Sequence, residues 1–283
     1  MGGPSVAHVG GHSGPDGLSL RAMLDPWQDA VRPMGRIGRA IEAHESIGST
    51  NDRARALLAA ADADGLVVIA EQQTAGRGRR GRTWLSPPGL NLMLSIALQP
   101  RLAAGDAWQL GLATALAVLA ACRAHTPVGL KWPNDVVADD GRKLAGLLVE
   151  TMADGDRLSG AIVGIGINVN WRRASMPEEI AANATSLVDL AAEPIDRVRL
   201  LRHLLEAFDD ELTRIEAGES PLDRYRAACA TLGTLVSVAT PDGTIRGRAV
   251  DLDPTGCLVV EADDGLHSLS TGDVVHVARA VSA

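Results

Sequence analysis

Apolar residues are spaced in two ways along this chain. Between residues 65 and 169 they come as short runs bounded by turn formers: GLVVIA at 65–70, NLMLSIAL at 91–98 after Pro87-Pro88-Gly89, and further runs at 128–132, 144–152 and 158–169. Runs of this length, rich in β-branched residues and bracketed by Gly and Pro, predict strands. Other stretches follow a helical period. Residues 194–217 place Val198, Leu201, Leu204, Leu205, Phe208 and Leu212 on one amphipathic stripe. Ser49, Thr50 and Asn51 precede DRARALLAAAD, an N-cap signal opening a helix with Leu57 and Leu58 inward. Residues 107–124, AWQLGLATALAVLAACRA, resemble a membrane span in hydropathy, but Gln109 and Thr114 interrupt the run. A buried core helix is the expectation there. Beyond about residue 230 the texture becomes TLVSVAT, IRGRAVDLD, CLVVEA, LHSL and DVVHVARA, separated by PDG, PTG, DDG and STG. Short strands with tight turns predict a small β-barrel. The pattern as a whole is α+β: a mixed β-sheet packed with helices over residues 41–230, a β-barrel over 231–283, and an N-terminal extension over 1–40. No internal repeat or heptad is visible.

Composition narrows the picture. A chain of 283 residues suits one sizeable core plus something smaller. The net charge of −8 disfavours broad nucleic-acid binding, so local basic clusters need local partners. With five Trp, one Tyr and one Phe there is no stacking platform for single-stranded nucleic acid. Cys122, Cys229 and Cys257 are odd in number and lack CxxC spacing, which indicates neither a disulfide framework nor a zinc site and points to a reducing, cytoplasmic home. Residues 1–17 lack a basic start and an apolar h-region, and Val6 breaks the myristoylation pattern, so a disordered tail is expected and no membrane attachment.

Two segments carry the chemistry. Residues 71–84 read EQQTAGRGRRGRTW, with Arg77, Arg79, Arg80 and Arg82 interleaved with Gly76, Gly78 and Gly81. Bare backbone and four guanidinium groups together suit a phosphorylated ligand. The literal G-x-G-x-x-G is not a dinucleotide fingerprint, because EQQTA separates it from the preceding strand and RTWLSPPGL, not a helix, follows. A mobile flap is expected instead. Residues 131–146 read KWPNDVVADDGRKLAG and add Lys131 and Lys143, with Asn134 and Asp135 between them. Downstream, Gly164 and Gly166 in VGIGINVN suggest a strand that a ligand approaches closely.

The order of these motifs, Ser-Thr-Asn, EQQTAGRGRRGRTW, KWPND, KLAG and GIGINVN, resembles the biotin protein ligase family from about Ser46 to Asn170, and the C-terminal barrel extends the likeness to the end of the chain. The resemblance implies a class II synthetase-like, biotin/lipoate ligase catalytic fold followed by an SH3-like domain. It also implies a reaction: biotin's carboxylate attacks the α-phosphate of ATP, giving biotinyl-5'-adenylate and pyrophosphate, and a lysine of a biotin carboxyl carrier domain then displaces AMP. Two unit negative charges ~4 Å apart repel by roughly 4 kcal/mol at an effective dielectric of 20, so closely placed cations are needed. By resemblance Lys143 and Arg79 are the catalytic cations. Ser49, Thr50, Asn51 and Gln73 line the biotin head, closed over by the backbone of Gly76, Arg77 and Gly78. Arg77, Arg79, Arg80, Arg82, Trp84, Lys131, Asn134 and Asn168 face ATP or the adenylate. Mg²⁺ would accompany the triphosphate, with Asp135 either contacting it or orienting Lys131. Several residues keep plainer alternatives: an N-cap for Ser49, Thr50 and Asn51, a core position for Trp84, a salt bridge for Lys131.

Rival readings are a lipoate ligase or octanoyl transferase of the same fold, and a bifunctional ligase and DNA-binding repressor. Octanoyl transferase chemistry needs a cysteine nucleophile, and Cys122 falls on the helix expected to be buried. Only about 45 residues precede Ser46, so no DNA-binding domain and no nucleic-acid partner is expected. A homodimer is compatible with the resemblance, and the carrier's identity is left open.

Overall fold

The computed structural model describes Trp27 and residues 35–60, 63–241 and 243–276. The tail expected over residues 1–17 lies outside the described residues.

Seven strands form the first sheet: β1 (Ile41–Ile47), β2 (Val67–Gln73), β3 (Leu92–Leu98), β4 (Gly129–Lys131), β5 (Asp135–Val137), β6 (Lys143–Asp154) and β7 (Arg157–Ile167), in the spatial order β1-β2-β3-β7-β6-β5-β4. Only β1 and β2 run parallel; every other neighbouring pair is antiparallel, so the sheet is mixed as expected. All five predicted strand regions of this sheet are present. Two strands were not predicted. β1, IEAHESI, buries only Ile41 fully, because it is an edge strand with one paired neighbour, and its polar face hides the period. β5 has three residues and carries too little pattern to register.

Alternate residues of the central strands feed two cores. Val67 and Ile69 of β2, Leu92, Leu94, Ile96 and Leu98 of β3, and Val163, Ile165 and Ile167 of β7 join the large core. On that side lie the helices α2 (Trp108–Arg123) and α5 (Arg197–Glu216), which also pack against each other. The apolar stretch over 107–124 is thus a core helix, with Leu110, Ala113, Ala117, Val118 and Cys122 fully enclosed. α5 begins at Asp196, whose carboxylate accepts the Val198 and Arg199 N–H groups, a cap that the apolar stripe alone did not reveal.

The opposite face is only partly covered. α1 (Thr50–Ala60) lies there, packing Ala54, Leu57 and Leu58 against Val68, Ala97 and Ile162. Gly160 of β7 admits the helix: a Cβ at that position would lie 2.8 Å from a Leu58 methyl. Beyond the N-terminus of α1 the face is open, and there the site is built. Three short helices, α3 (Glu178–Ala181), α4 (Leu187–Ala191) and α6 (Leu222–Ala228), complete the first unit.

The second sheet contains β8 (Leu235–Thr240), β9 (Gly243–Leu252), β10 (Leu258–Ala262), β11 (Gly265–Leu269) and β12 (Asp273–His276), in the order β11-β10-β9-β8-β12. The expected SH3-like barrel is present as this antiparallel five-stranded sheet, with β11 and β12 as its unpaired ends. It is fastened to the KWPND segment. Trp132 donates its backbone N–H to Thr231 Oγ1 at 3.1 Å and its indole N–H to the Gly256 carbonyl at 3.0 Å. Ala230 N–H donates to the Leu130 carbonyl at 2.7 Å.

Candidate active site

The floor of the site follows from a period of two. Along β7 the residues Ala161, Val163, Ile165 and Ile167 point to the large core, which leaves Gly160, Ile162, Gly164 and Gly166 on the open face. On β6 the partner of Gly166 is Gly146. Three glycines therefore strip side chains from one patch of sheet. The space is used closely: a Cβ on Gly164 would sit 2.3 Å from Asn51 Oδ1, and a Cβ on Gly166 would sit 2.6 Å from the Trp84 ring.

Above this floor stands the start of α1. Ser49, Thr50 and Asn51 are buried, and so is Ser95 of β3 beneath them. Ser95 Oγ lies 2.6 Å from Asn51 Oδ1 and 2.7 Å from Thr50 Oγ1. Gln73 Oε1 accepts the Thr50 backbone N–H at 2.9 Å, satisfying one orphan donor of the helix terminus. Asn51 donates to Glu150 at 2.7 Å. These neutral groups, with Leu148 opposite Gly164 on the same face, line a narrow inner pocket.

The glycine- and arginine-rich segment closes the pocket from the other side. It takes a folded hairpin-like turn: Arg77 and Thr83 form a bridge, Arg79–Gly81 make a 3-10 turn, and Trp84 N–H donates to Gly76 O at 2.9 Å. Its four arginines go different ways. Arg77 pairs with Asp52, with one contact at 2.9 Å. Arg79 donates to Asn134 Oδ1 at 3.0 Å and to Thr271 Oγ1 at 2.6 Å. Arg80 and Arg82 both reach Asp273.

Lys143 and Asp135 come from adjacent strands, with Lys143 Nζ 2.7 Å from Asp135 Oδ1. The same ammonium lies 5.5 Å from the centre of the Trp84 ring, a cation–π distance. Asn134 is held by donating to the Leu147 carbonyl at 2.8 Å. Lys131 is half-buried; burial pulls its ammonium below the ordinary lysine range, opposed by Asp135 and reinforced by Lys143. Burial acts on Arg79 in the same direction.

A wider outer cleft adjoins the inner pocket, lined by Lys131, Asp135, Asn168 and Arg82 among others. Five residues, Gly78, Arg79, Trp84, Asn134 and Lys143, line both. The fold therefore brings together the predicted residues from all the motif segments, with two exceptions. Gly76 lies behind the inner pocket against the Trp84 backbone, and Arg80 lines neither space. Asn168 is buried and its amide donates to the Thr185 carbonyl at 3.0 Å, so it also braces the loop before α4. Among the described residues no group of three His, Cys, Asp or Glu side chains could hold a metal.

Sequence reasoning missed Ser95, Glu150, Asp52, Thr271 and Asp273. Ser95 had a signal, since it is the one hydroxyl in the apolar run NLMLSIAL. The C-terminal pair had none, being brought to the loop from about 190 positions away by tertiary structure.

Comparison with known proteins agrees with this geometry. Residues 43–168 match the biotin/lipoate A/B protein ligase family, and residues 231–277 match the biotin protein ligase C-terminal domain. The chain is 38% identical over 269 residues to the biotin--[acetyl-CoA-carboxylase] ligase of Mycobacterium tuberculosis, covering 91% of this chain and 97% of that protein. It is 34% identical over 245 residues to the bifunctional ligase/repressor BirA of Bacillus subtilis, covering 84% of this chain and 74% of that protein. Among solved structures, the biotin protein ligase from Aquifex aeolicus in complex with biotin and ATP superposes with a TM-score of 0.73 at 30% identity, covering 84% of this chain and all of that one. With its glycine floor, its arginine-rich loop and its second sheet all in place, the chain belongs to the biotin protein ligase family.

Proposed function

We propose that the chain is an ATP-dependent biotin protein ligase that activates biotin as biotinyl-5'-adenylate and transfers it to a lysine of a biotin carboxyl carrier domain. The observation that carries this reading is the seam between the two spaces, where Arg79 and Lys143 line both the inner pocket and the outer cleft. Biotin occupies the inner pocket, its ureido ring against Ser49, Thr50, Asn51 and Gln73 and its apolar body along the sheet, so that its carboxylate emerges between the two cations. ATP enters from the outer cleft, past Lys131, Asn134 and Asn168.

A carboxylate oxygen attacks the α-phosphorus, an acyl–phosphate bond forms, and the bond to pyrophosphate breaks. Lys143 and Arg79 offset the charge that gathers on the α-phosphate oxygens, and they carry most effect because their surroundings are partly dehydrated. Mg²⁺ would accompany the triphosphate and supply charge for the leaving pyrophosphate, held mainly by phosphate oxygens and water with Asp135, which pairs with Lys143 at 2.7 Å, as the carboxylate at hand. In the second step the neutral amine of the carrier lysine attacks the acyl carbon, AMP leaves and the amide nitrogen loses its proton. The reaction places the enzyme with its ATP in the cytoplasm, in keeping with three free thiols.

The octanoyl transferase alternative loses its nucleophile. Burial pushes the Cys122 thiol up to about 12, and the side chain lines neither space. DNA binding is not carried over from the bifunctional relatives, since a net charge of −8 opposes a phosphate backbone.

Pyrophosphate release with MgATP, measured in parallel with biotin, lipoate and octanoate, tests the reading. Release with biotin alone is expected. Lys143→Ala should lower that release by at least about 100-fold, as removal of a transition-state charge contact does, while leaving the circular dichroism unchanged. Equal release with lipoate would overturn the substrate, and wild-type release from the variant would overturn the role of Lys143.

A further inference from the structure

Among the described residues the loop's four arginines form ion pairs with two carboxylates. Asp52 on α1 takes Arg77, and Asp273 at the start of β12 takes both Arg80 and Arg82. Among the described residues Arg79 donates its hydrogen bonds to neutral oxygens, those of Asn134 and Thr271, while Asp273 and Asp135 act on it only through space. Three of the four guanidiniums are thus paired with carboxylates, and the fourth is the one that lines both the inner pocket and the outer cleft.

Backbone geometry points the same way. Arg80 holds a left-handed conformation with φ of 55°, which a non-glycine residue adopts at a cost. Its side chain reaches the Ala239 carbonyl at 3.4 Å and Asp273 at 3.2 Å. The strained turn is therefore tied down at its apex by the second sheet. Thr271, two residues before Asp273, adds the contact to Arg79 at 2.6 Å. Isolated exposed pairs contribute little, but one carboxylate shared by two guanidiniums beside a third tether forms a network.

We propose that Asp273 is a positioning residue: by holding Arg80 and Arg82 it latches the loop to the C-terminal sheet and leaves Arg79 as the loop cation directed at the ligand. The role given to Arg79 rests on the ligase reading above, whereas the latch itself does not. On this view Arg80 and Arg82, which the resemblance places at the nucleotide, serve the loop's closure.

Two measurements on the full chain separate the parts. The first is hydrogen–deuterium exchange of residues 76–84, which needs no substrate. Asp273→Asn should speed exchange about five- to tenfold, the loss of a charge-assisted contact, and Asp273→Glu should restore most of the protection. In the double variant Asp273→Asn with Arg82→Gln, the two effects should not add, because each removes the same contact. Exchange at the wild-type rate in Asp273→Asn, or fully additive effects, would overturn the latch. The second is the rate at which biotinyl-adenylate leaves the enzyme after removal of free substrates. It should rise in Asp273→Asn by a similar factor, with labelling of bystander lysines. If exchange rises and adenylate retention does not change, the latch exists and its positioning role is refuted. If wild-type enzyme forms no adenylate, the ligase reading fails, while the exchange data still decide the latch.

Discussion

Gly164 carries a constraint that no side chain could meet. Its missing Cβ leaves room for Asn51, whose Oδ1 would be 2.3 Å from that atom, and Asn51 is in turn fixed by Ser95 and Glu150. Gly164→Ala should push Asn51 off its partners and leave polar groups unpaired, at about 1–3 kcal/mol. Biotin affinity measured by titration calorimetry should fall by about five- to 150-fold, since each 1.4 kcal/mol is a factor of ten. Gly105→Ala, where nothing lies within 4 Å, is the control and should bind normally. At this scale much was legible: glycines at alternate positions of a strand foretell an open patch of sheet. What could not be read was the partner across the gap. The sequence places Asn51 at a helix start, but nothing local ties it to Ser95 or to Gly164.

Elements depend on ties that pattern does not reveal. Arg36, just before β1, donates through Nε to Asp64 at 2.6 Å and through Nη1 to both Glu216 oxygens at 2.7 and 2.8 Å. It also donates to the Gln99 carbonyl at 2.8 Å. One side chain thus joins the segment entering β1, the loop before β2, the end of β3 and the end of α5. Burial opposes its charge, yet Asp64 and Glu216 prevail and hold the guanidinium more firmly protonated than usual. Arg36→Met would strand two partly buried carboxylates, and unfolding in urea should show a loss of about 2 kcal/mol, below the full value for a buried pair because all three groups keep some water. The amphipathic stripe of α5 and the continuous apolar run of α2 were visible in the chain, as were the short apolar runs of the central strands. β1 and β5 were not, because an edge strand mixes polar and apolar residues on one face and three residues carry no period. Asp196 was overlooked as a cap because the helix was read from Pro194, three residues too early.

The molecule as a whole rests heavily on arginine–carboxylate contacts, and its response to acid follows. Arg53 holds the Glu42 carboxyl below its ordinary value of 4.5, and Arg77 holds Asp52 below 3.8. At Asp64 and Asp273 burial works against ionisation but is outweighed by Arg36 and by Arg82 with Arg80. At Asp253 burial again opposes, and hydrogen bonds from Ser268, Thr255 and Cys257 bring the group down to about 2. A carboxyl depressed in the folded state stabilises above its unfolded pKa, and that contribution disappears as pH falls through the folded one. The carboxyl contribution should therefore decline steeply from about pH 4 towards 2, below a shallower loss that begins near 6.5, where His125 and His276, both held by burial below the ordinary histidine value, take up protons in the unfolded chain but not in the folded one. A melting-temperature series from about pH 8 to 2 would show both phases, and the absence of a steep fall below about pH 4 would contradict the carboxyl part. One further property of the whole comes from Trp132, anchored by Thr231 and Gly256. The hairpin that presents Lys131 and Asn134 is braced from beyond residue 230, so a split reporter cut at that point would yield two halves that each lack part of the other's scaffold. The exposed turn at Asp263 and Asp264, between β10 and β11, is the better place to open the chain.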